Sequence, residues 1–174
     1  MKTNLALIGF MGAGKTAVGK VLAERLGKEF IELDALIEQR AGKTIPEIFQ
    51  QDGEIAFREL EIEAVKEVCG KKNAVIACGG GVVLNQINID RLRKESLIVY
   101  LKALPGVILK RTSSDANERP LLKAADRAAE IRRLVQFRKP FYERAADITI
   151  DTSKLDVDSV AEQIIKRVKE KETA

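Results

Sequence analysis

The chain of 174 residues contains no histidine. That excludes Ser-His-Asp and Cys-His nucleophile systems and any imidazole-ligated metal. Acid–base work must fall to Asp, Glu, Lys or Tyr. The two cysteines, Cys69 and Cys78, are too few for a zinc cluster or a disulfide framework, and both sit among apolar residues, as reduced buried thiols do. Tryptophan is absent and aromatics make up 5% of the chain. With charges interleaved and a net charge of only +4, nothing here suits nucleic acid. No apolar run approaches the ~20 residues of a membrane span. The first strand begins at Asn4, too early for a signal peptide, so a cytoplasmic protein with no membrane partner is expected.

What is present belongs to a folding chain: 45% apolar and 32% charged residues, at a length suited to one domain. Asn4–Gly9 is a short apolar run, read as a buried strand. Thr16 to Leu26 has a helical stripe ending at Gly27. Phe30–Leu33 reads as the second strand, and Asp34 opens a helix that stops at Gly42. Thr44 with Glu47 forms a capping box with Pro46 near the helix start. Asp52-Gly53 breaks that helix, and a longer one runs from Glu54 to Val68. Ala74–Cys78 is the third strand, ended by Gly79–Gly81. A helix is expected over 85–94, a strand over 97–101 and a helix over 105–112. The polar stretch 113–123 reads as a loop. A long charged helix, kinked near Pro140, is expected over 126–144, then a strand over 147–151 and a helix over 157–168. Such alternation gives an α/β fold of three layers, a parallel sheet with helices on both faces. Its ligands bind beyond the carboxyl ends of the strands, where Gly9–Thr16, Asp34 and Gly79–Gly81 all fall.

Gly9-Phe-Met-Gly-Ala-Gly-Lys-Thr16 matches G-x-x-x-x-G-K-[ST] in full, between a strand and a helix. Glycines let the backbone aim several N–H groups at one anion, and the helix adds its positive end. Lys15 reaches the outer phosphates of a nucleoside triphosphate, and Thr16 is placed to ligate Mg²⁺. A chance match in this length is on the order of 1%, so a plain glycine turn with an exposed lysine is set aside.

Six patterns then follow in order: this loop, Glu32-Leu-Asp34, Phe57-Arg58-x-x-Glu61, Gly79-Gly80-Gly81, Arg119-Pro-Leu-Leu122 and Arg138-x-Pro-x-Tyr142. Together, over almost the whole chain, they resemble the shikimate kinase family. The resemblance implies ATP-dependent phosphorylation of the shikimate 3-hydroxyl, a step toward chorismate and the aromatic amino acids. It implies the nucleoside-monophosphate-kinase-like fold with strand order 2-3-1-4-5. A single kinase domain over 1–174 is expected, with a substrate-binding helical region over about 34–61 and a lid over about 113–124.

The same resemblance suggests roles. Lys15, Asp34 and Arg119 would be catalytic. ATP would be held by Gly12, Ala13, Gly14, Lys15, Thr16, Ala17, Arg111, Arg119, Ser153 and Leu155, with Arg111 stacking on adenine. Shikimate would meet Asp34, Arg58, Gly79, Gly80, Gly81 and Arg138. Mg²⁺ would be held by Thr16 and, through water, Glu32. The family usually has Asp-x-Asp where this chain has Glu32-x-Asp34, so the first acid is one methylene longer. Plainer readings stand beside these: Arg58 as a surface arginine paired with Glu54 or Glu61, Arg138 on a solvated face, Asp34 as a helix cap. A kinase of another small metabolite (gluconate or a nucleoside monophosphate) shares the P-loop, as does a regulatory P-loop ATPase. A monomer acting on small molecules is expected.

Overall fold

The computed structural model describes residues 1–112 and 127–174. Five strands form one parallel sheet: β1 Asn4–Ile8, β2 Glu29–Glu32, β3 Ala74–Ala77, β4 Ser96–Lys102 and β5 Ile148–Asp151. Their order is β2-β3-β1-β4-β5, as the resemblance implied. Eight helices are described: α1 Lys15–Leu26, α2 Leu33–Ala41, α3 Ile45–Gln51, α4 Gly53–Val68, α5 Gln86–Glu95, α6 Pro105–Thr112, α7 Arg127–Ala145 and α8 Val157–Thr173.

The two-residue period of a strand sorts side chains onto two cores. On β1, Leu5 and Leu7 face a layer built with α1 and α8, while Ala6 and Ile8 face one built with α2, α4, α5 and α7. Because both faces are covered, the central strands read as unbroken apolar runs. The edge strand β2 is partly exposed and carries Glu29 and Glu32.

The helix after β1 lies on one face and the helix after β3 on the other, although β1 and β3 are neighbours. A crevice therefore opens at their carboxyl ends. Cys78 N–H donates to the Leu7 carbonyl at 3.0 Å, which holds the two strand ends together.

Several boundaries differ from the sequence expectations. Leu33 belongs to α2 rather than to β2, so Asp34 lies in the first turn of α2 and is not its cap. Val82–Leu84 forms a short 3₁₀ turn before α5. The last helix continues to Thr173, past the apolar stripe that marked it. The Thr44 cap is present, its hydroxyl accepting the Glu47 N–H at 3.3 Å. No described helix is long and apolar enough to cross a membrane.

One buried polar side chain opens the sheet. Asn4 Oδ1 accepts the Ala74 N–H at 2.9 Å, and Nδ2 donates to the Lys71 carbonyl at 2.9 Å. Asn4→Ala strands both groups and should cost about 2–3 kcal/mol. Urea unfolding should show a lower midpoint at unchanged slope. A loss below about 0.5 kcal/mol would show that water replaces the side chain there.

Candidate active site

Two cavities open on the crevice. The larger, about 440 Å³, is walled by α2, α3 and α4, with Arg58, Gly81 and Arg138 on its lining. The second, about 320 Å³, lies over the P-loop and includes Lys15, Thr16, Glu32 and Arg111. Met11, Asp34, Gly79 and Gly80 line both, so the cavities meet at these four residues.

The P-loop curls as its sequence demands. Gly12 has φ +83°, and a Cβ there would lie 2.7 Å from Thr112 Cγ2, so only glycine fits. Lys15 Nζ is folded back to the Gly9 and Phe10 carbonyls at 2.6 and 3.1 Å. Thr16 Oγ1 donates to Glu32 Oε2 at 2.6 Å. Gly12, Gly14, Lys15, Thr16, Ala17 and Arg111 all reach the second cavity. Ala13 lies beneath it, buried, with its N–H already given to Phe10 O.

The turn after β5 does structural work. Arg111 donates to Gly12 O, Thr152 Oγ1 and Thr152 O at 3.0–3.3 Å. Ser153 Oγ accepts the Leu104 N–H, and Leu155 packs on the core beside α8. Neither Ser153 nor Leu155 lines a described cavity, whereas Thr152, bonded to Arg111 and to the Ala13 carbonyl, ties the P-loop to α6. Arg119 and the 113–124 lid lie outside the described residues.

In the larger cavity, Arg58 meets both acids foreseen for it: Glu54 at 3.3 Å and Glu61 at 3.0 Å. This pairing does not make it a surface residue, since Glu61 is fully buried and Arg58 lies largely within the wall. Arg138 is 3% exposed rather than on a solvated face, and its Nε and Nη1 find no hydrogen-bond partner among the described residues. Buried guanidinium nitrogens without an acceptor are rare and call for an anion. A Cβ at Gly81 would sit 2.3 Å from Arg58 Nη1, so the arginine lies directly on the turn's backbone.

Asp34 Oδ1 and Glu61 Oε2 are also buried without partners among the described residues. Both flank Gly79, at 2.9 and 3.1 Å from where its Cβ would be. Burial pushes both carboxyls above their ordinary values, against the pull of Lys15 on Asp34 and of Arg58 on Glu61. Glu61 was missed as a site residue, although its spacing from Arg58 on a helix signalled the pair. The apolar wall of Ile45, Pro46, Phe49 and Phe57 was also missed; Pro46 was read only for the helix start and Phe57 only within its motif.

The family model for shikimate kinase matches residues 11–169. The chain belongs to the shikimate kinase family. A shikimate kinase of Caldanaerobacter subterraneus is 50% identical over 94% of this chain and 94% of its own length. One from Thermodesulfovibrio yellowstonii is 47% identical over 94% and 93%. Among solved structures, the shikimate kinase of Acinetobacter baumannii, in complex with shikimate, matches with TM-score 0.94 and 37% identity, covering 98% and 95% of the two chains. The protein is thus an ATP-dependent kinase with the P-loop fold of these enzymes.

Asp34 places a charge where burial disfavours it, at the rim the two cavities share. A raised carboxyl value means that the neutral form suits the fold. Its stabilising effect is complete below the ordinary value of 3.8 and is lost as pH rises through the folded-state value. Asp34→Asn should therefore melt higher than the parent near neutral pH, with the advantage shrinking in acid, while turnover falls by about 100-fold or more. Melting curves of both proteins across pH check it; a difference constant with pH would show that the Asp34 charge carries no folding cost.

Proposed function

We propose that the cavity over the P-loop takes ATP and the larger cavity takes shikimate, with transfer at their shared rim. The observation that carries this reading is that Met11, Asp34, Gly79 and Gly80 border both spaces. Arg58 and Arg138 then supply planar donors to the acceptor's carboxylate, and the orphaned Arg138 nitrogens are the groups most in need of it. Gluconate or a nucleoside monophosphate also carries an anion that suits an arginine pair, so the preference for shikimate leans on the family match and the shikimate-bound relative.

Phosphoryl transfer asks mainly for positioning and charge neutralisation. Lys15 and Arg119 would spread the charge of the transferring group. Asp34 orients the 3-hydroxyl and takes its proton as the oxygen bonds phosphorus and ADP leaves. A carboxylate whose acid form is favoured by burial is the stronger base for that step. Thr16 and Glu32 offer a hydroxyl and a carboxylate, hard oxygen donors that fit Mg²⁺. No cluster of three or more His, Cys, Asp or Glu that could hold a metal occurs among the described residues, as expected for an ion completed by phosphates and water. Bound there, Mg²⁺ supplies charge neutralisation to the phosphates.

An ADP-release assay across shikimate, gluconate and nucleoside monophosphates tests the acceptor. With shikimate, Arg58→Ala should lose about ten- to a hundred-fold in kcat/KM, with little change in the KM for ATP. Arg58→Lys should rescue poorly, because an ammonium lacks the planar fork. With the neutral amide of shikimate, the parent and Arg58→Ala should differ far less. Equal losses with both acceptors would show that Arg58 does not read the carboxylate.

The metal reading has its own test. Glu32→Ala should raise the Mg²⁺ concentration needed for half activity and weaken Mn²⁺ binding seen by magnetic resonance. An unchanged metal titration would remove Glu32 from the metal's surroundings.

A further inference from the structure

Tyr142 follows Arg138 by four residues on α7, so the two side chains leave the same face of the helix. Its ring is buried and stacks on Tyr100 of β4, with centroids 5.0 Å apart. Its hydroxyl donates to the Gly80 carbonyl at 2.5 Å, joining α7 to the turn after β3, and also lies in hydrogen-bond reach of the Arg138 guanidinium. Tyr142 does not line the larger cavity; it approaches Gly80 from the core side.

The Gly80 carbonyl and the Gly81 N–H belong to one planar trans peptide and point in opposite directions. Fixing the carbonyl toward the core turns the N–H toward the cavity. There it lies beside Arg58, whose Nη1 and Nη2 would be 2.3 and 2.5 Å from a Gly81 Cβ. On the other flank, Arg138 Nη1 is 3.4 Å from where a Gly80 Cβ would be. The amide and two guanidinium groups are donors converging on one acceptor. Three consecutive glycines resist peptide rotation poorly. Rotated, the same peptide would aim its carbonyl at the arginines and occupy them itself.

We infer that Tyr142 is a positioning residue for the acceptor: its hydroxyl holds the Gly80–Gly81 peptide so that the Gly81 N–H joins Arg58 and Arg138 in one anion site. The inference rests on the reading that the larger cavity takes shikimate.

Tyr142→Phe keeps the ring and its stack and removes only the hydroxyl. Calorimetry should show shikimate bound about three- to thirty-fold more weakly, while ADP binding is unchanged. The Gly81 amide resonance should move in the variant, and the loss should shrink for the neutral amide of shikimate. Equal weakening of ADP and shikimate, or shikimate binding as tight as the parent's, overturns the role of Tyr142. A parent that binds ADP but no shikimate overturns the substrate reading and this inference together. Should the variant fail to fold, the parent decides. A Tyr142 hydroxyl proton that exchanges slowly, with and without shikimate, supports the inference, and one that exchanges freely or is released on binding overturns it.

Discussion

The Cys78 N–H given to the Leu7 carbonyl extends the β1–β3 ladder to the rim of the sheet, one residue beyond its last paired positions. Past that bond the chain leaves β1 as the P-loop and leaves β3 as the glycine turn, toward opposite faces. Two loops that diverge from one hydrogen bond leave a cleft between them with a fixed width. Gly80 measures it: a Cβ there would lie 3.4 Å from the Met11 N–H nitrogen of the P-loop and 3.4 Å from Arg138 Nη1. A methyl there would just touch both sides, and so the nucleotide side and the acceptor side share a single thin wall.

That wall is lined with charges the fold does not fully satisfy. Arg138 is buried with two nitrogens lacking acceptors, while Asp34 and Glu61 each keep one buried oxygen without a donor among the described residues. Each such group costs the empty protein free energy, on the order of 1–3 kcal/mol. Opposite charges lie close by, so a collapse into direct pairs would relieve them. The glycine turn lies among them, with Asp34 and Glu61 against Gly79 and Arg138 against Gly80. Strain of this kind is recovered when a ligand brings the missing partners, which makes it a mark of the site rather than a defect.

Sequence made the frame legible wherever burial is two-sided, because a run such as Leu5–Ile8 has few other homes. It also showed the P-loop, whose residue types answer one chemical demand. It was weaker where polarity and burial conflict. Taken without the family resemblance, Arg58 suited a surface position paired with Glu54 or Glu61, and the pairing is real, yet Glu61 lies in the interior. Nothing in a one-dimensional pattern says that a charged pair at helical spacing faces inward. Asp34 suited a cap by its place after an apolar run, but Leu33 already starts the helix, and that single-residue shift turns the carboxylate into the cleft. Tyr142 was quoted within its motif without a role, since its partner is a backbone carbonyl 62 positions away.

Glu32 follows from the same geometry. It ends the edge strand β2, whereas Thr16 starts a helix rising from β1, with β3 between them. α1 lies over β3 and β2, with Gly19 against the Phe30 ring, so a side chain from the end of β2 has only the gap to the head of α1 to cross. The longer arm of glutamate closes that distance, and the Thr16 hydroxyl meets it directly at 2.6 Å. An aspartate would stop one methylene short and need a water to complete the same link. The direct bond commits the hydroxyl's proton to Glu32 and leaves both lone pairs of the oxygen free to face a cation. The longer first acid of this chain thus has a specific geometric use in the fold.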